Sequence, residues 1–387
     1  MRLDRLHVHD FRSYRQLEFP LAPGLTALVG RNGQGKTNLL EALYYLAHFR
    51  SFRTPTGEVM IRDQQSAAHV RAWGQRVTGE DGREILLEAE INRTGRNRVQ
   101  LNGRRLARPG LATGQLRVTL FAPDDLAIVK EGPAGRRAWL DELATSLDPR
   151  FEAVLSALER VLRQRGALLR QCGGRLDSSA ALTLDVWDAK LAPLSEAVMT
   201  RRVALVEQLA DPLMEAYRAL AAAGSTGSGA IAAPCGFGSG DEPLVASYRP
   251  SLTPGDALIG LTQARDQDLR RAASTVGPHR DELELLLGRR PVRTHASQGE
   301  QRCVALALKL AGHRLVTVEV GFAPLLLLDD VFSELDPQRC DALIANLPAG
   351  QTVLTSADRL PRTARADVVY QVSLDHLVEV PAHAVPV

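Results

Sequence analysis

Residues 30 to 37 read Gly-Arg-Asn-Gly-Gln-Gly-Lys-Thr, a complete phosphate-binding loop. The acidic strand that such a loop requires, Leu325-Leu326-Leu327-Leu328-Asp329-Asp330, lies near the other end of the 387-residue chain. The two halves of one site are therefore separated by most of the sequence. A chain arranged this way must leave its phosphate-binding domain, build something else, and return. That requirement narrows the possible folds more than either motif does alone.

The flanks of the loop fit its physics. Leu25-Thr26-Ala27-Leu28-Val29 is a short apolar run suited to a buried parallel strand, and Asn38 to Leu46 carries apolar residues at helical spacing. Between them, glycines at 30, 33 and 35 let the main chain wrap closely with its N–H groups turned toward phosphate oxygens. Arg31, Asn32 and Gln34 complete the loop. Lys36 is placed to reach the β- and γ-phosphates of ATP, and the Thr37 hydroxyl to ligate Mg²⁺. The helix starting there adds its positive N-terminal end.

Four leucines ending at Asp329 read as a buried strand that stops at the carboxyl edge of a sheet, where ligands bind in open α/β folds. Asp329 is placed to hold the Mg²⁺ hydration shell, and Asp330 either orients the attacking water or caps the strand end.

Composition excludes several classes. No apolar run is long enough to span a bilayer, so no membrane association is expected, and the opening Met1-Arg2-Leu3-Asp4-Arg5 does not resemble a secretory signal. Cys172, Cys235, Cys303 and Cys340 lie far apart without a Cys-x-x-Cys pair, as expected of reduced cytoplasmic thiols. A net charge of +2 does not by itself demand a polyanionic partner. Its distribution says more. From Ile91 to Arg117 the chain carries Arg93, Arg96, Arg98, Arg104, Arg105, Arg108 and Arg117 and no acidic residue. Asn102-Gly103 within this stretch predicts a hairpin turn. Two readings are open: a basic hairpin that grips DNA phosphates, or arginines that solvate an exposed sheet edge.

Along the chain, Leu3 to Phe19 predicts an edge strand, a turn at Arg12-Ser13-Tyr14, and a second strand. Residues 67–101 predict strands broken near 79–82 and 93–95. From Pro133 to Ala223, apolar residues at helical spacing interrupted at Gly173-Gly174 predict two long helices forming an antiparallel arm. Glycine-rich segments at 224–229 and 236–240 are expected to be flexible loops. Helical character resumes over 254–273, followed by a strand at 281–287, a helix at 301–315 and a last strand at 351–355. The expected division is an N-terminal part of the nucleotide head (1–125), an inserted helical arm domain (126–275) and a C-terminal part of the head (276–387).

Upstream of the acidic strand lies Ala296-Ser297-Gln298-Gly299-Glu300-Gln301-Arg302, and downstream lies Ser333-Glu334-Leu335-Asp336. Together with the phosphate loop these resemble the signature and D-loop of ATP-binding-cassette ATPases, with Gln298 in place of the first glycine of the signature. Asp10-Phe11-Arg12-Ser13-Tyr14 is similar to the opening motif of the SMC-like branch of that class. With Gly277-Pro278-His279-Arg280-Asp281 and Leu327 to Asp336, the chain resembles the bacterial RecF family nearly end to end. The resemblance implies a P-loop NTPase head of the cassette/SMC type with an inserted helical arm. It also implies a cytoplasmic, ATP-dependent, DNA-binding ATPase that forms an ATP-dependent homodimer. In that class Ser297, Gly299 and Glu300 would cap the ATP of a neighbouring subunit, and Arg12 would touch ATP phosphates. The implied partners are duplex DNA, including junctions with single strands, and RecR and RecO, with which the family loads RecA at single-strand gaps during repair and damage signalling.

The chain departs from the wider class in two places: no glutamine marks the usual Q-loop near Phe121–Asp125, and Thr355-Ser356-Ala357-Asp358 stands where a histidine is common. Thr355 is a candidate γ-phosphate contact, and His279 and Arg280 beside a Gly-Pro turn are expected to be structural. A transporter's nucleotide-binding subunit and a non-catalytic nucleotide-dependent scaffold are the rival readings. The long insertion argues against the first, and intact Lys36, Thr37, Asp329 and Asp330 argue against the second.

Overall fold

The computed structural model describes residues 2–54, 56–75, 82–223, 243–357, 360–361, 363–374 and 376–381, with the side chain of Glu334 set aside. The glycine-rich segments expected at 224–229 and 236–240, most of the turn near 79–82, Cys235 and Asp358 lie outside these residues.

In chain order the elements begin with β1 (Arg2–Phe11), β2 (Tyr14–Pro20), β3 (Leu25–Val29), α1 (Lys36–His48), β4 (Ala67–Gln75), β5 (Glu84–Asn92), β6 (Arg98–Leu101), β7 (Arg104–Arg105) and β8 (Val118–Phe121). They continue with α2 (Ala127–Lys130), α3 (Pro133–Leu147), α4 (Phe151–Gln171), α5 (Ser178–Ala223), β9 (Leu244–Arg249), α6 (Ala257–Gln263), α7 (Arg265–Arg271), β10 (Glu282–Leu287), β11 (Arg290–Pro291), α8 (Val292–His295) and α9 (Gln298–Val320). The last are β12 (Leu325–Asp329), α10 (Pro337–Ala345), β13 (Thr352–Ser356), β14 (Val368–Ser373) and β15 (His376–Val380). The chain divides into two compact units: Met1–Asp125 with Ala216–Gly240 and Leu306–Val387, and Leu126–Glu215 with Asp241–Ala305.

The first unit contains two six-stranded sheets, β15-β14-β3-β13-β12-β8 and β2-β1-β4-β5-β6-β7. The first is parallel apart from β15, and its central strands β12 and β13 are buried on both faces; β12 is almost wholly apolar, whereas β13 also buries Thr352, Thr355 and Ser356. Helix α1 packs against strands of both sheets. Leu39, Leu40, Leu43, Tyr44 and Leu46 join one core with Leu6, Val8, Val70, Leu87, Leu325 and Val353. An amphipathic surface helix has one apolar stripe, whereas α1 is buried on nearly all sides. This packing holds the phosphate loop, which runs straight into α1.

Several elements differ from the sequence expectation. The strand β13 does not complete the sheet but lies inside it, between β3 and β12, and β14 and β15 extend it further. Residues Val368–Ser373 alternate too weakly to stand out from a short apolar run. It is β2, not β1, that forms the edge of the antiparallel sheet. Asn102 and Gly103 both take positive φ, 51° and 75°, in the predicted two-residue turn between β6 and β7.

The second unit holds the helices expected of the arm, except the end of α5 from Ala216, but as three segments rather than two. Pro149 and an Asp148 side chain that accepts the Arg150 N–H at 3.0 Å close a turn between α3 and α4. The break at Gly173-Gly174 falls between α4 and α5 as read, both glycines having positive φ. Helix α5 runs for 46 residues through Pro193 and Pro212, each lacking one main-chain donor. A three-stranded antiparallel sheet, β11-β10-β9, also belongs to this unit, which runs on to Ala305 beyond the boundary expected at 275. The β9–β10 pairing draws 281–287 toward 244–249 instead of toward the nucleotide sheet. Its helices are pinned by Arg165, fully buried, which bonds Asp188 of α5 at 2.7 Å and Asp268 of α7 at 2.6 Å.

Candidate nucleotide-binding site

The cleft of the first unit, about 290 Å³, is lined by Asn32, Gly33, Gly35, Lys36, Thr37, Asn38, Arg53, Asp330 and Thr355. The parallel sheet explains why residues so distant in sequence meet there. Strands β3 and β12 flank β13, so the loop after β3, the end of β12 and the end of β13 open at one carboxyl edge.

Within the loop, the Lys36 ammonium donates to the carbonyls of Gly30 at 2.5 Å and Arg31 at 3.0 Å. The loop is buttressed from two sides. A methyl group on Gly30 would sit 2.6 Å from the Val372 carbonyl oxygen of β14. At Gly35, φ is 97° and a methyl group would meet the Tyr14 hydroxyl at 2.7 Å. Gln34 faces β14–β15, its Oε1 accepting the Leu374 N–H at 3.0 Å.

The acidic strand reaches the loop directly. The Thr37 hydroxyl donates to Asp329 Oδ1 at 2.9 Å, and the Thr355 hydroxyl donates to the same oxygen at 2.8 Å. Thr355 Oγ1 also accepts the Asp330 N–H at 2.9 Å. Asp330 is held at φ 47°, a conformation that costs a non-glycine residue free energy. Burial raises the Asp329 pKa above the usual carboxylate value, against the opposing pull of Thr355 and Thr37. A carboxylate penalised by burial and beside a hydroxyl is an all-oxygen donor set suited to a hard divalent cation such as Mg²⁺.

Two cleft residues were missed in the sequence. Asn38 directly follows the loop motif, so its place was readable. Arg53 had no local signal: a chain excursion after α1 brings it back, and its guanidinium donates to Asn38 Oδ1 at 3.0 Å. Arg12, in contrast, does not line the cleft. Its guanidinium is chelated by Glu41 of α1, at 2.8 and 2.5 Å, and donates to the Val59 carbonyl at 2.9 Å.

The expected Q-loop segment is anchored without a glutamine. Asp125 accepts the Ala122 N–H at 2.8 Å and pairs at 2.8 Å with Lys309 of α9, which also donates to the Leu120 carbonyl at 3.0 Å. One turn further along α9, His313 lies against Thr119 at 3.0 Å, and burial lowers its pKa to about 4.

The signature segment belongs to the second unit. The Ser297 N–H donates to the Glu300 carboxylate at 2.7 Å, and the Glu300 N–H donates to Ser297 Oγ at 3.3 Å. This reciprocal pair is a capping box at the start of α9, with Ser297 exposed and Gly299 partly so. Gly277 to Asp281 is a structural knot. The Pro278 carbonyl accepts from Arg202 at 2.7 Å, Asp281 takes the Ser251 N–H at 2.7 Å and the Tyr248 hydroxyl, and Arg280 donates to the Ser274 carbonyl at 3.1 Å. His279 points at that same carbonyl, and burial lowers its pKa.

At the edge of the antiparallel sheet, Arg93, Arg96, Arg98, Arg104 and Arg105 are all exposed. Arg98 pairs with Glu90 at 3.3 Å and Arg93 donates to the Gln65 carbonyl at 3.0 Å. Cys172, Cys303 and Cys340 are unbridged, and among the described residues no cluster of three or more His, Cys, Asp or Glu forms a metal site. No helix among the described residues is long and apolar enough to cross a membrane.

A loop, an acidic strand and a threonine at the carboxyl edge of a parallel sheet, with a separate helical unit, define a P-loop NTPase of the cassette/SMC-head class with an inserted helical arm. Residues 2–376 match the RecF/RecN/SMC N-terminal domain family. The chain is 43% identical over 366 residues to the DNA replication and repair protein RecF of Frankia alni, covering 92% of this chain and 93% of that protein. It is 40% identical over 373 residues to the protein of the same name from Streptomyces avermitilis, with coverage of 92% and 93%. A solved structure of the recombination mediator protein RecF with ATP, of the RecFOR pathway, superposes with a TM-score of 0.84 at 26% identity, covering 98% of both chains. The chain belongs to the RecF family.

Proposed function

We propose that this protein is a Mg²⁺-dependent, DNA-stimulated ATPase of recombinational DNA repair whose ATP-bound homodimer clamps duplex DNA and whose slow hydrolysis releases it. The observation that carries the reading is that Thr37, Asp330 and Thr355 line one cleft beside the phosphate loop, with Asp329 bonded to both threonines. Lys36 and the loop N–H groups would hold the triphosphate, and Thr37 and Asp329 would hold Mg²⁺, which when bound neutralises charge on the phosphates. Asp330 would orient the attacking water. Because its carboxylate is one methylene shorter than a glutamate, turnover is expected to be slow, as suits a timed clamp. Arg53 would meet the phosphates from beside Asn38, and Arg12 would serve the cleft through Glu41.

Ser297, Gly299 and Glu300 would complete the cleft of a second subunit. The exposed start of α9 offers main-chain N–H groups to a γ-phosphate, and its capping box satisfies them in the interim. Binding of two ATP molecules would then stabilise the closed dimer, a shift of population. Residues 1–125 and 276–387 would supply the head and 126–275 the arm. Arg93, Arg96, Arg98, Arg104 and Arg105 would contact DNA phosphates without reading sequence. In the cytoplasm the protein would act with RecO and RecR to promote RecA loading at single-strand gaps, binding duplex DNA, including junctions with single strands.

Size-exclusion chromatography with light scattering tests the clamp. ATP with Mg²⁺ should convert monomer to dimer, and duplex DNA should stabilise the dimer. A protein that stays monomeric under both conditions overturns the clamp.

A further inference from the structure

Around the cleft, one carboxylate serves two guanidiniums. Glu41 lies one turn beyond Thr37 on α1, and its side chain is fully buried. Arg12 of the β1–β2 turn holds it with two hydrogen bonds, and the Ser51 hydroxyl donates a third. Arg53 stands 3.6 Å from Glu41 Oε2 and donates to Asn38 Oδ1 at 3.0 Å. Ser51 Oγ in turn accepts the main-chain N–H groups of Arg53 at 2.9 Å and Thr54 at 3.1 Å. Asn38 closes the circuit by donating to Ser13 Oγ at 3.0 Å, next to Arg12.

Of these groups only Arg53 and Asn38 line the cleft, and they do so together with Asp330 and Thr355. The geometry points to Glu41 as the positioning residue of nucleotide recognition: it fixes Arg53 at the acidic-strand end of the cleft, where a terminal phosphate distinguishes ATP from ADP. This rests on the ATPase reading and assigns a discriminating part to it.

Two physical arguments support the assignment. A buried ion pair contributes little net stability relative to apolar packing, so its chief consequence here is geometric. Arg12 already neutralises Glu41 with two close bonds, so Arg53, held at 3.6 Å and 42% exposed, keeps most of its positive charge for a ligand. That charge is also felt at Asp329, where it opposes the upward push of burial.

The test is a double-mutant cycle on the full chain, with dissociation constants for a non-hydrolysable ATP analogue and for ADP, both with Mg²⁺. Glu41→Gln and Arg53→Gln should each weaken the ATP analogue by about tenfold and ADP by less than about threefold. The double variant should be no weaker than either single one, since both act through one contact. Equal losses for the two nucleotides, additive losses in the double variant, or unchanged binding by Glu41→Gln would each overturn the assignment. If Glu41→Gln does not fold, Ser51→Ala decides. A loss confined to the ATP analogue, about threefold, supports the assignment, and an unaltered ratio refutes it. Failure of the underlying site looks different: the wild type would bind neither nucleotide, or Lys36→Ala would bind both as the wild type does.

Discussion

In the proposed dimer, the nucleotide cleft and the Ser297–Glu300 segment of a second subunit would share one ATP, and the two segments are built on opposite principles. The cleft gathers residues from the β3–α1 loop, residues 49–54 and the ends of β12 and β13. Lys36, Asp329 and Thr355 are buried, and Thr37, Asp329, Asp330 and Thr355 are bonded to one another, so much of its geometry is set before a ligand arrives. The signature segment uses a single helix end, partly exposed, where the Ser297 and Glu300 N–H groups are held by each other's side chains. Preorganisation by many segments makes the first half intolerant of change. The second half, which needs only local capping to fold, is open to recognition from outside.

That contrast can be broken experimentally, starting where the effect should be largest. Lys36→Ala removes the one ammonium inside the loop, and ATP turnover should fall by about 1000-fold or more, as measured by phosphate release. Turnover within tenfold of wild type would mean that the cleft is not the catalytic site. Asp330→Asn should slow turnover by about 100-fold while leaving ATP binding intact. Its complex with duplex DNA should then outlast that of the wild type in a dissociation assay, and unaltered lifetimes would remove Asp330 from hydrolysis.

Helix α9 carries the exposed cap at one end and a buried histidine further along, so its anchoring can be tested through pH. His313 titrates near 4 when folded against about 6.5 unfolded, so the unfolded state takes up a proton first as pH falls. Stability present above pH 6.5 should therefore be lost between pH 6.5 and 4, by up to about 3 kcal/mol. Denaturation of His313→Gln across this window should show a flatter dependence. A slope equal to that of the wild type would show that His313 is protonated without penalty.

Smaller effects should sharpen the other side of the comparison. Glu300→Ala breaks the capping box and should cost about 1 kcal/mol in unfolding free energy, whereas Ser297→Arg should spare ATP binding and block ATP-dependent dimerisation. A dimer formed normally by Ser297→Arg would confine the segment to helix capping. Smallest of all, replacing Arg104 and Arg105 by glutamine should weaken duplex DNA binding severalfold and reduce its salt slope by about two charges. An unchanged slope would leave those arginines as solvated edge residues.

Legibility in the sequence followed the range of the interactions involved. The phosphate loop, α1, β12 and the Asn102-Gly103 turn were readable because each is set by neighbours within a few residues. The position of β13 inside the sheet was not, since strand order depends on pairing between residues far apart in sequence. The turn at Asp148–Arg150 was hidden by an apolar periodicity that continues on both sides of it. Arg53 and Glu41 show the limit most sharply. One reads as an ordinary exposed arginine and the other as a polar residue in an apolar helix. Their contacts appear only once the chain folds back over α1.

By itself the sequence determined that a phosphate loop and an acidic strand, separated by a helical insertion, must close one nucleotide site. Loop glycines, buried leucines and turn residues carry that information locally. Only the tertiary structure decided which side chains share the cleft. It set Thr355 between Asp329 and Asp330, drew Arg12 away to Glu41, and brought Arg53 in. The physical reason is that a buried charge takes whichever partner packing brings within hydrogen-bonding distance, and packing is a property of the whole core.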